Sequence, residues 1–161
     1  MTVEQLVLHG RFPYLSYPRR YKDADRATAL QAMETVGMAH LAGQPLYTLS
    51  GGMRQNAYVA MALAQDTDYI LLDEPTTYLD IAHQLELMKL LRRLADSGKG
   101  IVTVMHDLPL AFRFSDTIVA IRNGTVAAHA TPSELCATPV IQEMFGVGVV
   151  RVSDHAYSYD D

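Results

Sequence analysis

The hydrophobic rhythm of the chain changes part-way along, from helical spacing in the first third to short apolar runs afterwards. Val3 to His9 is apolar enough for a short helix, and Gly10-Arg11-Phe12-Pro13 ends it in a turn-rich aromatic segment reaching Tyr21, expected to be a surface module. Ala29, Ala32, Met33 and Val36 recur at helical spacing, so Asp23 to Leu41 is predicted as a second helix with Gly37 near its end. From Tyr69 onward strands alternate with helices: Tyr69 to Leu72, Ile81 to Ala95, Ile101 to Met105, Leu108 to Phe114 and Thr117 to Ile121. That alternation argues for an α/β fold with a parallel sheet. The sharpest period is Leu87, Leu90, Leu91 and Leu94, with Gly98 just past the end, so one helix face should pack on the sheet. Ile70-Leu71-Leu72 and Ile101-Val102-Thr103-Val104 lack alternation, as expected for central strands covered on both faces. Asn123-Gly124 between two β-prone runs predicts a hairpin, closing the sheet with an antiparallel edge. Ser133 to Phe145 suits two short helices, and Ser153 to Asp161 is polar enough to fray.

Composition narrows the field. A chain of 161 residues fits one domain or part of one. Its formal charge of −5 carries no basic footprint, which argues against nucleic acid as a direct partner. Cys136 is the only cysteine, so no internal disulfide can form; it reads as a packed small hydrophobe. No apolar run approaches the roughly 20 residues a membrane helix needs, and the first residues lack a signal-peptide layout, so the chain itself is expected to be soluble. The histidines His9, His40, His83, His129 and His155 show no ligand spacing with one another or with Cys136, and read as surface or structural residues rather than a zinc site.

Three segments carry chemistry. Ser50-Gly51-Gly52-Met53 opens an Ala-rich helix; Ser50 is a plausible N-cap, and the glycines leave backbone amides open to an anion such as a γ-phosphate. Asp73 ends a buried strand, where open α/β sheets place ligands and where a carboxylate can hold Mg²⁺ through water; a strand-terminal turn residue is the bland alternative. Glu74 follows it, and Met105-His106-Asp107 ends the next apolar strand. Ser97-Gly98-Lys99-Gly100 superficially suggests a phosphate loop, but Lys99 follows a helix and precedes a strand, so it reads as a turn.

Leu49-Ser50-Gly51-Gly52-Met53-Arg54-Gln55, then Ile70-Leu71-Leu72-Asp73-Glu74-Pro75 with Leu79-Asp80, then His106, resemble in order and spacing the second half of an ATP-binding-cassette (ABC) nucleotide-binding domain. The resemblance covers Met1 to about Val152 and implies a partial P-loop NTPase fold. Residues 1–65 would form a helical subdomain with the signature motif, 66–152 part of a RecA-like core with Walker B, D-loop and switch histidine, and 153–161 a polar tail. It also implies roles. Glu74 would be the base or orienting group for the attacking water and His106 the γ-phosphate ligand. Ser50, Gly51, Gly52 and Met53 would close over nucleotide in trans, Asp80 would link the two sites of a dimer, and Asp73 would hold Mg²⁺. Met53 stands where the family usually has Gln, which removes an amide. ATP and Mg²⁺ are the implied cofactors.

Met1 to Val7 with Gly10-Arg11-Phe12-Pro13-Tyr14, and Thr76 to Gln84, look like importers of iron-siderophore, haem or cobalamin complexes, iron chelates being favoured. The implied setting is peripheral, on the cytoplasmic face of the inner membrane. The partners would be a second nucleotide-binding subunit, a transmembrane permease and, indirectly, a substrate-binding protein. Two other readings stand beside it: a soluble ABC ATPase outside transport, and a non-catalytic interaction module that keeps the signature surface. The 161 residues contain no GxxxxGK[ST], and on this resemblance they begin after the base-stacking loop, the Walker A loop and the Q-loop glutamine. Central strands lacking a neighbour, and exposed apolar sheet surface, are the expected consequence.

Overall fold

The computed structural model describes residues 1–153 and 156–160. The chain folds as two compact units, Met1–Val104 and Met105–Asp161.

In the first unit, helix α1 (Val3–His9) is capped by Thr2 and Gln5 in reciprocal hydrogen bonds. It packs with α2 (Asp23–Thr35) and α3 (Gly51–Ala64) around Val3, Leu6, Val7, Ala29, Met33, Ala57, Val59 and Ala60. The expected helix to Leu41 stops at Thr35, because Gly37 adopts φ +73°. The Gly37 and Met38 amides then bond back to Glu34 O (3.0 Å) and Met33 O (2.7 Å), a Schellman stop; Ala39–Leu41 is a separate 3-10 turn. The Gly10-Arg11 junction is structural. A Cβ on Gly10 would lie 2.2 Å from Met61 O, so glycine is what lets α1 end against α3. Arg11 Nη1 donates to Ala64 O (2.9 Å) and Nε to Asp25 Oδ1 (3.2 Å), while Tyr14 Oη donates to Gln65 O (2.6 Å). The aromatic turn therefore closes the carboxyl end of α3.

Strand β1 (Tyr69–Asp73) pairs in parallel with β2 (Gly100–Val104), in register from Tyr69↔Gly100 to Asp73↔Val104. Helix α4 (Ile81–Asp96) makes the crossover and buries the predicted stripe of Leu87, Leu90, Leu91 and Leu94. It ends in a second Schellman stop at Gly98 (φ +101°), with Lys99 N–H on Leu94 O (3.1 Å), so Ser97 to Gly100 is a helix stop and not a phosphate cradle. The strands are not covered on both faces as expected. Ile70 is 3% exposed, but Leu71 is 74% exposed and Val102 and Val104 are 53% each. The continuous apolar runs here serve one buried face and one open apolar one.

In the second unit, α5 (Leu108–Phe114) precedes a hairpin of β3 (Ile118–Arg122) and β4 (Thr125–Ala130). Asn123 and Gly124 turn it with φ of 51° and 75°, as two left-handed centres of a tight turn require. Helices α6 (Pro132–Cys136) and α7 (Val140–Phe145) follow, close to the two short helices expected. Leu108, Phe112, Leu135, Ile141 and Val149 form the core. The end of the chain differs from the frayed tail predicted: β5 (Gly148–Ser153) and β6 (Ala156–Asp160) pair antiparallel. Tyr157 supplies the reason, packing its ring 5.5 Å from that of Phe112. His155, like Asp154 and Asp161, lies outside the described residues.

Candidate functional site

Ser50 holds an extended backbone (φ −61°, ψ 165°) and caps α3, its Oγ accepting from the Met53 amide at 3.3 Å. Gly51, Gly52 and Met53 thus form the first turn of that helix, where backbone amides lack intrahelical acceptors and the dipole favours an anion. Arg54 reaches back to Leu49 O at 3.4 Å, tying the turn to its approach. Met53 does not interrupt the turn; its backbone amide is what Ser50 binds.

Asp73 and Glu74 stand at the carboxyl end of β1. Glu74 N–H donates to Val104 O at 3.1 Å, so the parallel ladder extends one residue past the strand before the chain turns. Glu74 itself has φ 45°, a left-handed conformation uncommon for a residue with a side chain. Thr77 Oγ1 donates to Glu74 Oε2 at 3.0 Å and fixes one carboxylate oxygen. The loop from Glu74 to Asp80 contains a second left-handed residue, Tyr78 (φ 65°), whose side chain is fully exposed. Gln84 Nε2 on α4 holds the loop from below, bonding Leu79 O (3.1 Å) and Thr76 O (3.3 Å).

Asp80 caps α4 with Oδ1 on the His83 amide (3.0 Å), while Oδ2 lies 2.7 Å from His83 Nδ1. The backbone bond from His83, then the bond from its ring, hold the Asp80 carboxyl below the usual carboxylate range. His83 is the residue that sequence reasoning passed over as ordinary surface. Its signal was the spacing of three from a helix-capping aspartate, where side chain and cap share one turn. The structure brings Ser50 to Met53 together with the Asp80 loop: a Cβ on Gly51 would touch Leu79 Cδ2 (3.7 Å) and Tyr78 O (3.9 Å). His106 follows β2 after Met105 and directly precedes Asp107, the N-cap of α5, whose Oδ1 accepts from the Leu110 amide at 2.9 Å.

Among the described residues there is no group of three or more His, Cys, Asp or Glu able to hold a metal by itself. Asp73, exposed at a strand end, fits the lesser requirement of Mg²⁺, which is commonly held by one or two carboxylates together with phosphates and water.

The ABC transporter family model matches residues 1–77. The chain is 46% identical over 155 residues to the iron(3+)-hydroxamate import ATP-binding protein FhuC of Bacillus subtilis (strain 168), covering 96% of this chain and 58% of that protein. The chain is thus similar to ABC transporter ATP-binding proteins over nearly its whole length. It is 40% identical to the ferric enterobactin transport ATP-binding protein FepC of Escherichia coli (strain K12), over 96% of this chain and 57% of that one. The chain spans a little under three-fifths of the length of these relatives. Its fold matches a solved metal-chelate-type ABC transporter in an inward-facing conformation, with a TM-score of 0.87 at 25% identity, over 99% of this chain and 64% of the other. A second likeness, to an ATP-binding cassette in its ADP conformation, has a TM-score of 0.79 at 19% identity, over 90% of this chain and 62% of that one.

Proposed function

We propose that this chain forms the signature, Walker B and D-loop part of an ATPase subunit that energises uptake of an iron chelate such as a ferric siderophore. The observation that carries the reading is the junction of a Ser50-capped helix turn with the loop that bears Glu74 and Asp80. Relatives named for iron(3+)-hydroxamate import and ferric enterobactin transport supply the substrate class. In this reading Glu74, with one oxygen held by Thr77, orients or deprotonates the attacking water. The first turn of α3 meets the γ-phosphate of ATP bound by a second nucleotide-binding subunit, and His106 serves as a ligand to a γ-phosphate oxygen. Asp73 holds Mg²⁺, which supplies charge neutralisation for phosphoryl transfer when bound. Asp80 links the two sites. The subunit works at the cytoplasmic face of the membrane, docked on a transmembrane permease served by a substrate-binding protein; among the described residues no helix is long and apolar enough to cross the bilayer itself.

The test is purification of the tagged chain, in mild detergent, from the cells that encode it. The expected result is a polytopic membrane protein in the complex, with ATPase activity that falls about a hundredfold or more in Glu74→Gln. Purely soluble partners, or hydrolysis indifferent to Glu74→Gln, would overturn the proposal.

A further inference from the structure

We infer that His83 is a positioning residue: it locks the Asp80 end of the 74–80 loop onto the first turn of α3, so that the loop bearing Glu74 and the signature turn move as one body. What the lock is for rests on the nucleotide reading above; the lock itself can be observed without nucleotide.

Both oxygens of Asp80 are taken by one residue, Oδ1 by the His83 amide and Oδ2 by His83 Nδ1. A carboxylate only accepts, so Nδ1 carries the hydrogen and the imidazole is held in one orientation. That orientation lays the other edge of the ring on Gly52. A Cβ built there would lie 2.3 Å from His83 Cδ2, 2.8 Å from Cγ and 3.2 Å from Cβ, three atoms of a single side chain. Gly52 is therefore glycine for a reason that needs no ligand: its side-chain space is occupied by the imidazole. Next to it, Gly51 faces Leu79 and Tyr78 of the same loop. The loop carries two left-handed non-glycine residues and is tethered to α4 by Gln84. His83 thus touches the cap of α4 and the turn of α3 together.

An ordinary helix-capping pair would affect only α4. Hydrogen exchange on the 161-residue chain separates the two cases through the Met53 and Arg54 amides of α3, which bond to Ser50 Oγ and Ser50 O. In His83→Ala their exchange should accelerate by roughly tenfold, the scale of coupling between residues in contact. His83→Asn keeps a donor at the Nδ1 position and should restore most of the protection. A thermal-melt cycle gives the second arm: Gly52→Ala should lower the melting temperature sharply beside His83 and much less in the His83→Ala background. Unchanged α3 exchange in His83→Ala, or a Gly52→Ala penalty equal in both backgrounds, would overturn the lock. Lost coupling with nucleotide handling intact would count against His83 alone, whereas intact coupling in a chain that never supports ATP hydrolysis would count against the nucleotide reading alone.

Discussion

At the scale of single residues, the first unit depends on contacts that tolerate little change. Gly10→Ala forces a Cβ against Met61 O, a backbone atom that cannot step aside, and should cost about 2 kcal/mol or more in urea unfolding. Asp25 shows how charge enters. It is buried against Arg11, and its carboxyl is held below the ordinary 3.8, first by the Lys22 amide and then, against the cost of burial, by the Arg11 guanidinium. A depressed folded-state value means that the contribution is complete above the unfolded value near 3.8 and is lost as pH falls through the folded one. Asp25→Asn should therefore be less stable than the parent at neutral pH, with the gap in melting temperature closing below pH 3.8. A gap that persists in acid would place the stabilisation elsewhere.

At the scale of elements, the helices are specified by their ends and their stripes. Ser50→Ala removes the cap of α3 and should cost about 1 kcal/mol, measured by chemical denaturation. Phe112→Ala should cost about 3–5 kcal/mol, since its buried ring ties α5 to Tyr157 on β6. Legibility in the sequence followed the same division. The stripe of α4, the Asn123-Gly124 turn and the capped turn at Ser50 were all readable, because each is set by residues a few positions apart. The premature end of α2 was half readable: Gly37 was visible, but not that it would take φ +73°. The pairing of β6 was not, because polar residues at 156–160 are held by a partner strand and by one ring contact that no local pattern encodes. The candidate site was legible as motifs. Its connection through His83 was not, since the neighbour it fills lies on another helix 31 positions earlier by the numbering of Gly52 and His83.

At the scale of the whole molecule, the open apolar face of β1 and β2 is the main liability. Leu71, Val102 and Val104 present an exposed apolar strip on a sheet that, among the described residues, has only two strands, a surface that invites association. The 161-residue polypeptide should self-associate with rising concentration in analytical ultracentrifugation, and Leu71→Glu should shift it toward monomer. Concentration-independent sedimentation of the parent would show that this face is harmless. The curated relatives extend well beyond the matched region; additional strands would hydrogen-bond along the edges of the β1–β2 pair, while this face would need packing against other apolar side chains.

The two left-handed residues of the 74–80 loop bear on how this chain would respond to laboratory evolution. Tyr78 pays for a backbone that glycine or asparagine adopts more readily, and its ring gains no burial in return. A library screened only for survival at high temperature should drift at position 78 toward those two amino acids, while one screened for work done by the subunit need not. The tyrosine would then mark a place where the demands of endurance and of use diverge.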